Sequence, residues 1–164
     1  MKIKQVMNRP AVTCPSNSTM DNAARLMWEF DCGVIPVVDA EGRLEGILTD
    51  RDICMAAYTQ GQPLWSILVS SAMARQVVAA HEEDAIETVE GLMRDHQLRR
   101  LPVIDDEHRP IGMVSLNDLA RLAAHAKRSG VDRELVQTLA AICQPRARSL
   151  VREGDGVASI PIRA

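Results

Sequence analysis

Laid over itself at an offset of 66 residues, the chain aligns 7–53 with 73–119 without a gap. Twelve pairs are identical: Met7/Met73, Arg9/Arg75, Val12/Val78, Leu26/Leu92, Met27/Met93, Pro36/Pro102, Val37/Val103, Asp39/Asp105, Glu41/Glu107, Arg43/Arg109, Gly46/Gly112 and Asp52/Asp118. Chance over such a stretch supplies roughly three. Ile35/Leu101, Val38/Ile104, Leu48/Val114, Thr49/Ser115 and Ile53/Leu119 are conservative pairs. The chain therefore carries one unit of about 50 residues twice, and any fold for it must accommodate that copy.

Each copy reads as β-α-β-β-α. A short extended piece (Ala11–Cys14, Gln76–Ala80) precedes a helix. Ser18 or Thr19 is placed to cap the first such helix, with Ala23, Leu26, Met27 and Phe30 at helical spacing. Asp84 is the expected cap of the second, with Ile86, Val89, Leu92 and Met93 forming its apolar stripe. Two apolar runs around a polar turn then signal a hairpin: Val34–Val38 and Leu44–Leu48, or Leu101–Ile104 and Pro110–Val114. A last helix begins near Thr49 or Ser115. One copy has too little core to stand comfortably alone, so the expected fold is α/β (α+β), two units packed sheet to sheet about a pseudo-twofold, plus a C-terminal helix. The boundaries follow: first unit 1–59, linker 60–71, second unit 72–127, extra helix 128–145, basic tail 146–164. The linker holds a short apolar helical piece, Leu64–Leu68, and the extra helix sets Val131, Leu135, Val136, Leu139 and Ile142 on one face.

Composition narrows the function classes. Aromatic residues are 2% of the chain: Trp28, Phe30, Tyr58 and Trp65. Such scarcity counts against the stacking platforms that hold single-stranded nucleic acid. The net charge of −3 offers no overall basic footprint for nucleic acid. It hides an acidic body and a basic C-terminal stretch, which is either a solvated end or a surface for a partner. Cys14, Cys32, Cys54 and Cys143 form no C-x-x-C pair, which fits free thiols in a cytoplasmic protein. No apolar stretch approaches the ~20 residues of a membrane span. His81, His96, His108 and His125 lack metal-site spacing, and no nucleophile–base pairing or Walker loop stands out. We expect no catalytic residue and no metal.

The informative element is the junction after the second hairpin strand. It reads Gly46-Ile47-Leu48-Thr49-Asp50-Arg51-Asp52-Ile53, then Gly112-Met113-Val114-Ser115-Leu116-Asn117-Asp118-Leu119. A hydroxyl falls at the helix N-cap and a carboxylate three residues on. The unpaired N–H groups and dipole of a helix start suit a phosphate, to which Thr49 or Ser115 would add a donor. A carboxylate one turn on can accept two ribose hydroxyls, as in dinucleotide sites. A plain capping box has the same pattern. Its repetition in register favours a site.

These pieces, together with apolar-Pro-Val-Val/Ile-Asp and the Gly-Arg or His-Arg turn, resemble a pair of CBS domains, or Bateman module, over roughly residues 3–125. The resemblance implies two β-α-β-β-α units meeting through their sheets, commonly as a homodimer, and a sensor of adenosine-containing ligands: AMP, ADP, ATP, NAD or S-adenosylmethionine. It implies that Asp52 and Asp118 bind ribose, and that Thr49 and Ser115 contact phosphate. Gly33, Val34, Ile35 and Pro36, with Arg99, Arg100, Leu101 and Pro102, would line the adenine pocket, bordered by Thr13 and Ala79. Arg99 and Arg100 replace the small Gly33-Val34 of the first copy, either clamping phosphates or plugging a cleft. Arg51 either reaches a phosphate or pairs with Asp50. The leading expectation is a stand-alone, non-enzymatic regulatory module that binds an adenine nucleotide and signals to a protein partner. The alternative is an interaction or scaffold module with empty or plugged clefts.

Overall fold

Both apolar runs of each repeat are strands in the computed structural model, which describes residues 1–125 and 129–142. The first repeat comprises β1 (Cys14–Pro15), α1 (Met20–Glu29), β2 (Val34–Val38), β3 (Leu44–Thr49) and α2 (Asp50–Gln60). The second comprises β4 (Ala80–His81), α3 (Ile86–Asp95), β5 (Arg100–Ile104), β6 (Pro110–Ser115) and α4 (Leu116–His125), and α5 (Ser129–Ile142) follows. The basic tail 146–164 and Cys143 lie outside the described residues.

The two sheets are copies down to their irregularities. In each, the short first strand runs parallel to the middle one, and the hairpin partner is antiparallel. Val34 faces Thr49 and Arg100 faces Ser115 in register. The register shifts once in each hairpin, between Val37 and Val38 and between Val103 and Ile104. The turns also match: the Asp39 carboxylate accepts the Glu41 and Arg43 N–H groups, and Asp105 those of Glu107 and Arg109. That turn demands a left-handed residue, supplied by Gly42 (φ 80°) in one copy and by His108 (φ 65°) in the other.

Each repeat completes its core with a segment from outside itself. Ile3 and Met7 are buried with Leu101, Val103 and Val114 of the second repeat. Ile67, Val69 and Met73 are buried with Ile35, Val37 and Leu48 of the first. The crossing segments are stitched by paired backbone hydrogen bonds, Asn8 with Met113 (2.8 and 2.9 Å) and Ala74 with Ile47 (2.9 Å both ways). Gly112 and Gly46 permit this approach. A Cβ at Gly112 would stand 2.8 Å from the Asn8 carbonyl oxygen and 2.6 Å from Met7 Sδ. At Gly46 it would meet Ala74 O at 3.0 Å and Met73 Sδ at 2.7 Å. Direct bonds between repeats, Ala11 N–H to Ile111 O and Leu44 N–H to His108 O, join the two halves at their sheets.

Several local expectations are corrected. α3 starts after Ala85 and no side chain caps it; Asp84 instead accepts the His81 N–H at 2.8 Å. Thr19 holds the N-cap position of α1 without a side-chain bond to the helix. Phe30 is 58% exposed, because α1 ends at Glu29 and the chain turns away from the core. The piece 64–68 is not one helix but a 3-10 turn at Leu64–Ser66, followed by Ile67 entering the core. α5 buries Leu135 and Ile142 on the second repeat, packing on α3 and α4, but Val136 falls off that face and is exposed.

Replacing Gly112 with Ala should destabilise the protein by about 1–3 kcal/mol in urea unfolding, since the added Cβ collides with a backbone oxygen as well as with the Met7 side chain. An unchanged midpoint would refute the close-approach account. A second expectation concerns acid. Lys2 and Lys4 both bond Glu83 and hold its carboxyl down to about 2, below its ordinary 4.5. A depressed carboxylate contributes stability above its unfolded value and loses it as pH falls through the folded one. Docking of residues 2–4 should therefore weaken between about pH 4.5 and 2. Hydrogen exchange at the Ile3 amide would report it, and Glu83→Gln should remove that pH dependence.

Candidate functional site

The strand-to-helix junctions form from the sequence logic of a helix start. Thr49 ends β3 with extended backbone (φ −112°, ψ 162°), and its hydroxyl accepts the Asp52 N–H at 3.2 Å. In return the Asp52 carboxylate accepts the Thr49 N–H (2.8 Å) and hydroxyl (2.7 Å), both through Oδ2. Ser115 and Asp118 repeat this arrangement: Asp118 Oδ2 accepts the Ser115 N–H at 2.7 Å and its hydroxyl at 2.5 Å. The capping box is therefore formed in both copies, and it uses only one oxygen of each carboxylate. Oδ1 lies outside that box: at Asp52 it has no hydrogen-bond partner among the described residues, and at Asp118 its chemistry is acceptance of the Asn8 amide and the Arg121 guanidinium.

At the second junction that chemistry faces a cleft of about 580 Å³ built by both repeats. The second repeat brings Arg100, Met113, Val114, Ser115, Asn117, Asp118 and Arg121 to it. The first brings Phe30, Asp31, Cys32, Gly33 and Val34, and the N-terminal segment brings Asn8, Arg9, Pro10 and Val12. Gly33 matters by its missing side chain: a Cβ there would stand 2.9 Å from Asp50 Oδ2 and 3.4 Å from Arg100 Nη1. The Arg100 guanidinium therefore lies close over the Gly33 backbone at the cleft. Burial pushes the Cys32 thiol up, partly offset by the Val34 N–H and the nearby Arg100 charge.

Of the residues singled out from sequence, Gly33, Val34, Arg100, Ser115 and Asp118 meet at this cleft. Thr49, Arg51 and Asp52 sit together at the other junction, the matching place in the first repeat. Ile35 and Leu101 are fully buried in the two separate cores, and Pro36 and Pro102 are buried beside them. None of these four lines the cleft. The strand alternation that puts Val34 and Arg100 at the cleft turns Ile35 and Leu101 inward. Thr13 and Ala79 are half-buried ahead of β1 and β4 and do not line it either. Arg99 is exposed beside Arg100, and its carbonyl accepts the Leu116 N–H at 2.9 Å, fixing the start of α4. Arg51 is not ion-paired with Asp50 among the described residues: Asp50 Oδ1 takes the Arg51 backbone N–H at 2.7 Å. Arg51 Nε is buried without a hydrogen-bond partner.

The sequence reading missed Asn8, Arg9 and Arg121. Arg121 was legible as the i+3 neighbour of Asp118 on a helix, and it forms that ion pair. Asn8 and Arg9 carried no local signal, because their place follows from the N-terminal segment crossing to the second repeat. Among the described residues no three His, Cys, Asp or Glu side chains gather to hold a metal, and no helix is long and apolar enough to cross a membrane.

The CBS domain family model matches residues 3–58 and 69–125. The chain is 38% identical over 118 residues to the CBS domain-containing protein YhcV of Bacillus subtilis, covering 72% of this chain and 82% of that one. It is 32% identical over 145 residues to Hypoxic response protein 1 of Mycobacterium tuberculosis, covering 88% and 95%. Among solved structures, the CBS domain pair of protein MJ0100 in complex with 5′-methylthioadenosine and S-adenosyl-L-methionine superposes with a TM-score of 0.68 at 29% identity, covering 76% of this chain and 96% of that one. The chain belongs to the CBS domain family, with two copies of the domain arranged as a Bateman module.

Proposed function

We propose that the protein is a regulatory module that binds an adenosine-containing ligand in its inter-repeat clefts and transmits occupancy to a protein partner. The carrying observation is the pair of carboxylates three residues past each N-cap, Asp52 and Asp118, each using Oδ2 for its own helix start and presenting Oδ1 to other donors, which at Asp118 are Asn8 and Arg121. Two ribose hydroxyls are such donors, and the helix start beside them supplies N–H groups to a phosphate. Adenine would rest on Val34 and backbone groups rather than on a row of rings. The complex of MJ0100 with two adenosine compounds supports the ligand class. Binding at a site lined by both repeats favours one arrangement of the repeats over another, which is what a signal requires. No reacting group enters this reading; the module regulates rather than catalyses.

A homodimer belongs to the same proposal. α5 covers the α3 and α4 side of the second repeat. Among the described residues the first repeat has no such helix over it, and Trp28 of α1 and Tyr58 of α2 are 88% and 82% exposed. Trp65 and Leu68 of the linker are exposed as well. Large exposed apolar groups of this kind mark an interaction surface, and a second copy offers the matching one.

Thermal melts of the full chain should show a midpoint rise of about 5–10 °C with AMP, ATP, NAD or S-adenosylmethionine at a hundredfold excess over Kd. Asp52→Asn combined with Asp118→Asn should abolish the rise. A midpoint unmoved by all four at millimolar concentration would instead favour the scaffold reading with plugged clefts. Light scattering after size exclusion should give a dimer that Trp28→Glu with Tyr58→Glu converts to monomer; a monomeric unsubstituted protein would refute the dimer.

A further inference from the structure

The chain leaving each repeat comes back onto that repeat's first helix, but with different reach. After α2 it contributes the three-residue turn Leu64–Ser66, which packs on α1. After α4 it contributes α5, fourteen residues long, which packs on both α3 and α4. On the first repeat Trp28 of α1 and Tyr58 of α2 therefore stay exposed. On the second, Leu135 and Ile142 of α5 are buried in the core that α3 and α4 help to build. Glu90 of α3 is 4% exposed, whereas its counterpart in α1, Ala24, is only half-buried.

The seat under α5 is apolar but flawed. Leu135, Thr138, Leu139 and Ile142 form one stripe along the helix, at i, i+3, i+4 and i+7. Thr138 is fully buried in that stripe, and its Oγ1 has no hydrogen-bond partner. A buried hydroxyl left unbonded costs free energy that it recovers from water on release. Glu90 likewise gives up hydration when a helix lies over it. At the last turn of α5 the Gln97 side chain donates from Nε2 to the Ala141 carbonyl oxygen at 3.3 Å, a long and neutral bond. Three apolar anchors thus hold α5 down against polar costs that its release repays.

We propose that α5 is an autoinhibitory strap. It occupies the helix face of the second repeat that corresponds to the Trp28–Tyr58 face of the first, and its release opens that face to the same face of a second copy. The duplication points to this occupant: one unit builds both faces on one frame, and the covered face already accepts an apolar helix. Like pairing with like gives the closed, twofold contact that homodimers use. The proposal rests on the homodimer reading for the class of partner and adds what controls a second contact.

Native-state hydrogen exchange on the full chain tests the strap. Amides 135–142 should exchange at least about tenfold faster than those of Leu101 and Val103 in β5, through an opening that leaves β5 protected. Thr138→Val should slow the α5 amides by at least about fivefold, and Gln97→Ala should speed them by about threefold, with β5 unchanged in both. Opening of α5 only together with β5 would overturn the strap. Light scattering tests the masked face, starting from the monomer expected of Trp28→Glu with Tyr58→Glu. Adding Leu135→Glu and Ile142→Glu should free α5 and convert that monomer to a dimer. Leu139→Glu, at a half-buried position of the same stripe, should do so in part. A chain that stays monomeric while its α5 amides exchange freely and β5 remains protected would overturn the masking. This arm starts from a monomer, so the first-repeat dimer fails separately, by a monomeric unsubstituted protein.

Discussion

The structure depends on two places where backbone meets backbone: Asn8 against Gly112–Met113, and Ala74 against Gly46–Ile47. A three-stranded sheet with two helices is a thin core for about 50 residues, and neither repeat closes it from its own sequence. Each borrows a segment that arrives from outside, and each borrowed segment docks by the same pair of hydrogen bonds beside a glycine. A side chain at either glycine would hold the segment off by the width of a methyl group and leave Ile3 and Met7, or Ile67 and Met73, without their neighbours. The halves are therefore joined through their cores as well as through a surface between them.

That joint has a chemical consequence. The segment carrying Ile3 and Met7 into the second core also carries Asn8 to the Asp118 carboxylate. Burial of the segment and hydrogen bonding at the cleft are thus one event seen from two ends. The equivalent segment in the first repeat brings Ala74, so the same packing device there leaves the carboxylate uncovered. Duplication supplied two equal frames, and single residues at positions 8 and 121 made the clefts unequal. α5 adds a second inequality by covering one repeat's helices and leaving the other's aromatic side chains in solvent.

How far this was legible from sequence follows the range of the interactions involved. The repeat, the hairpins, the shared turn and the Thr/Ser–Asp junction are local or repeated patterns, and all of them are present in the structure. Sequence alone did not separate Ile35, Leu101 and the two prolines from the residues that line the Asp118 cleft, because a strand's two faces cannot be told apart where both are apolar. The same run places Val34 at the cleft and Ile35 in the core, and nothing in Val-Ile-Pro-Val-Val marks the difference. Asn8, Arg9 and the linker's Ile67 were invisible for another reason. Their roles come from chain crossing, which no short window contains. The aromatic residues are a third case: all four, Trp28, Phe30, Tyr58 and Trp65, stand on the exterior, and the core is aliphatic.

The same asymmetry explains why a regulatory reading suits this chain better than that of a passive cleft. A carboxylate left open would take ribose with little change elsewhere, so occupancy would have few means of reaching the rest of the molecule. Asp118 is not open. Any ligand that uses its Oδ1 must move Asn8, and Asn8 is bonded through its own backbone to Met113 and follows directly on the buried Met7. Loss of the Asn8 side-chain bond to Asp118 therefore falls on a segment shared between both repeats. Coupling of this kind needs no long path. One amide side chain that serves the cleft and belongs to the joint is enough to give the ligand a different free energy in the docked and loosened arrangements, which is the condition for a ligand to shift a conformational equilibrium.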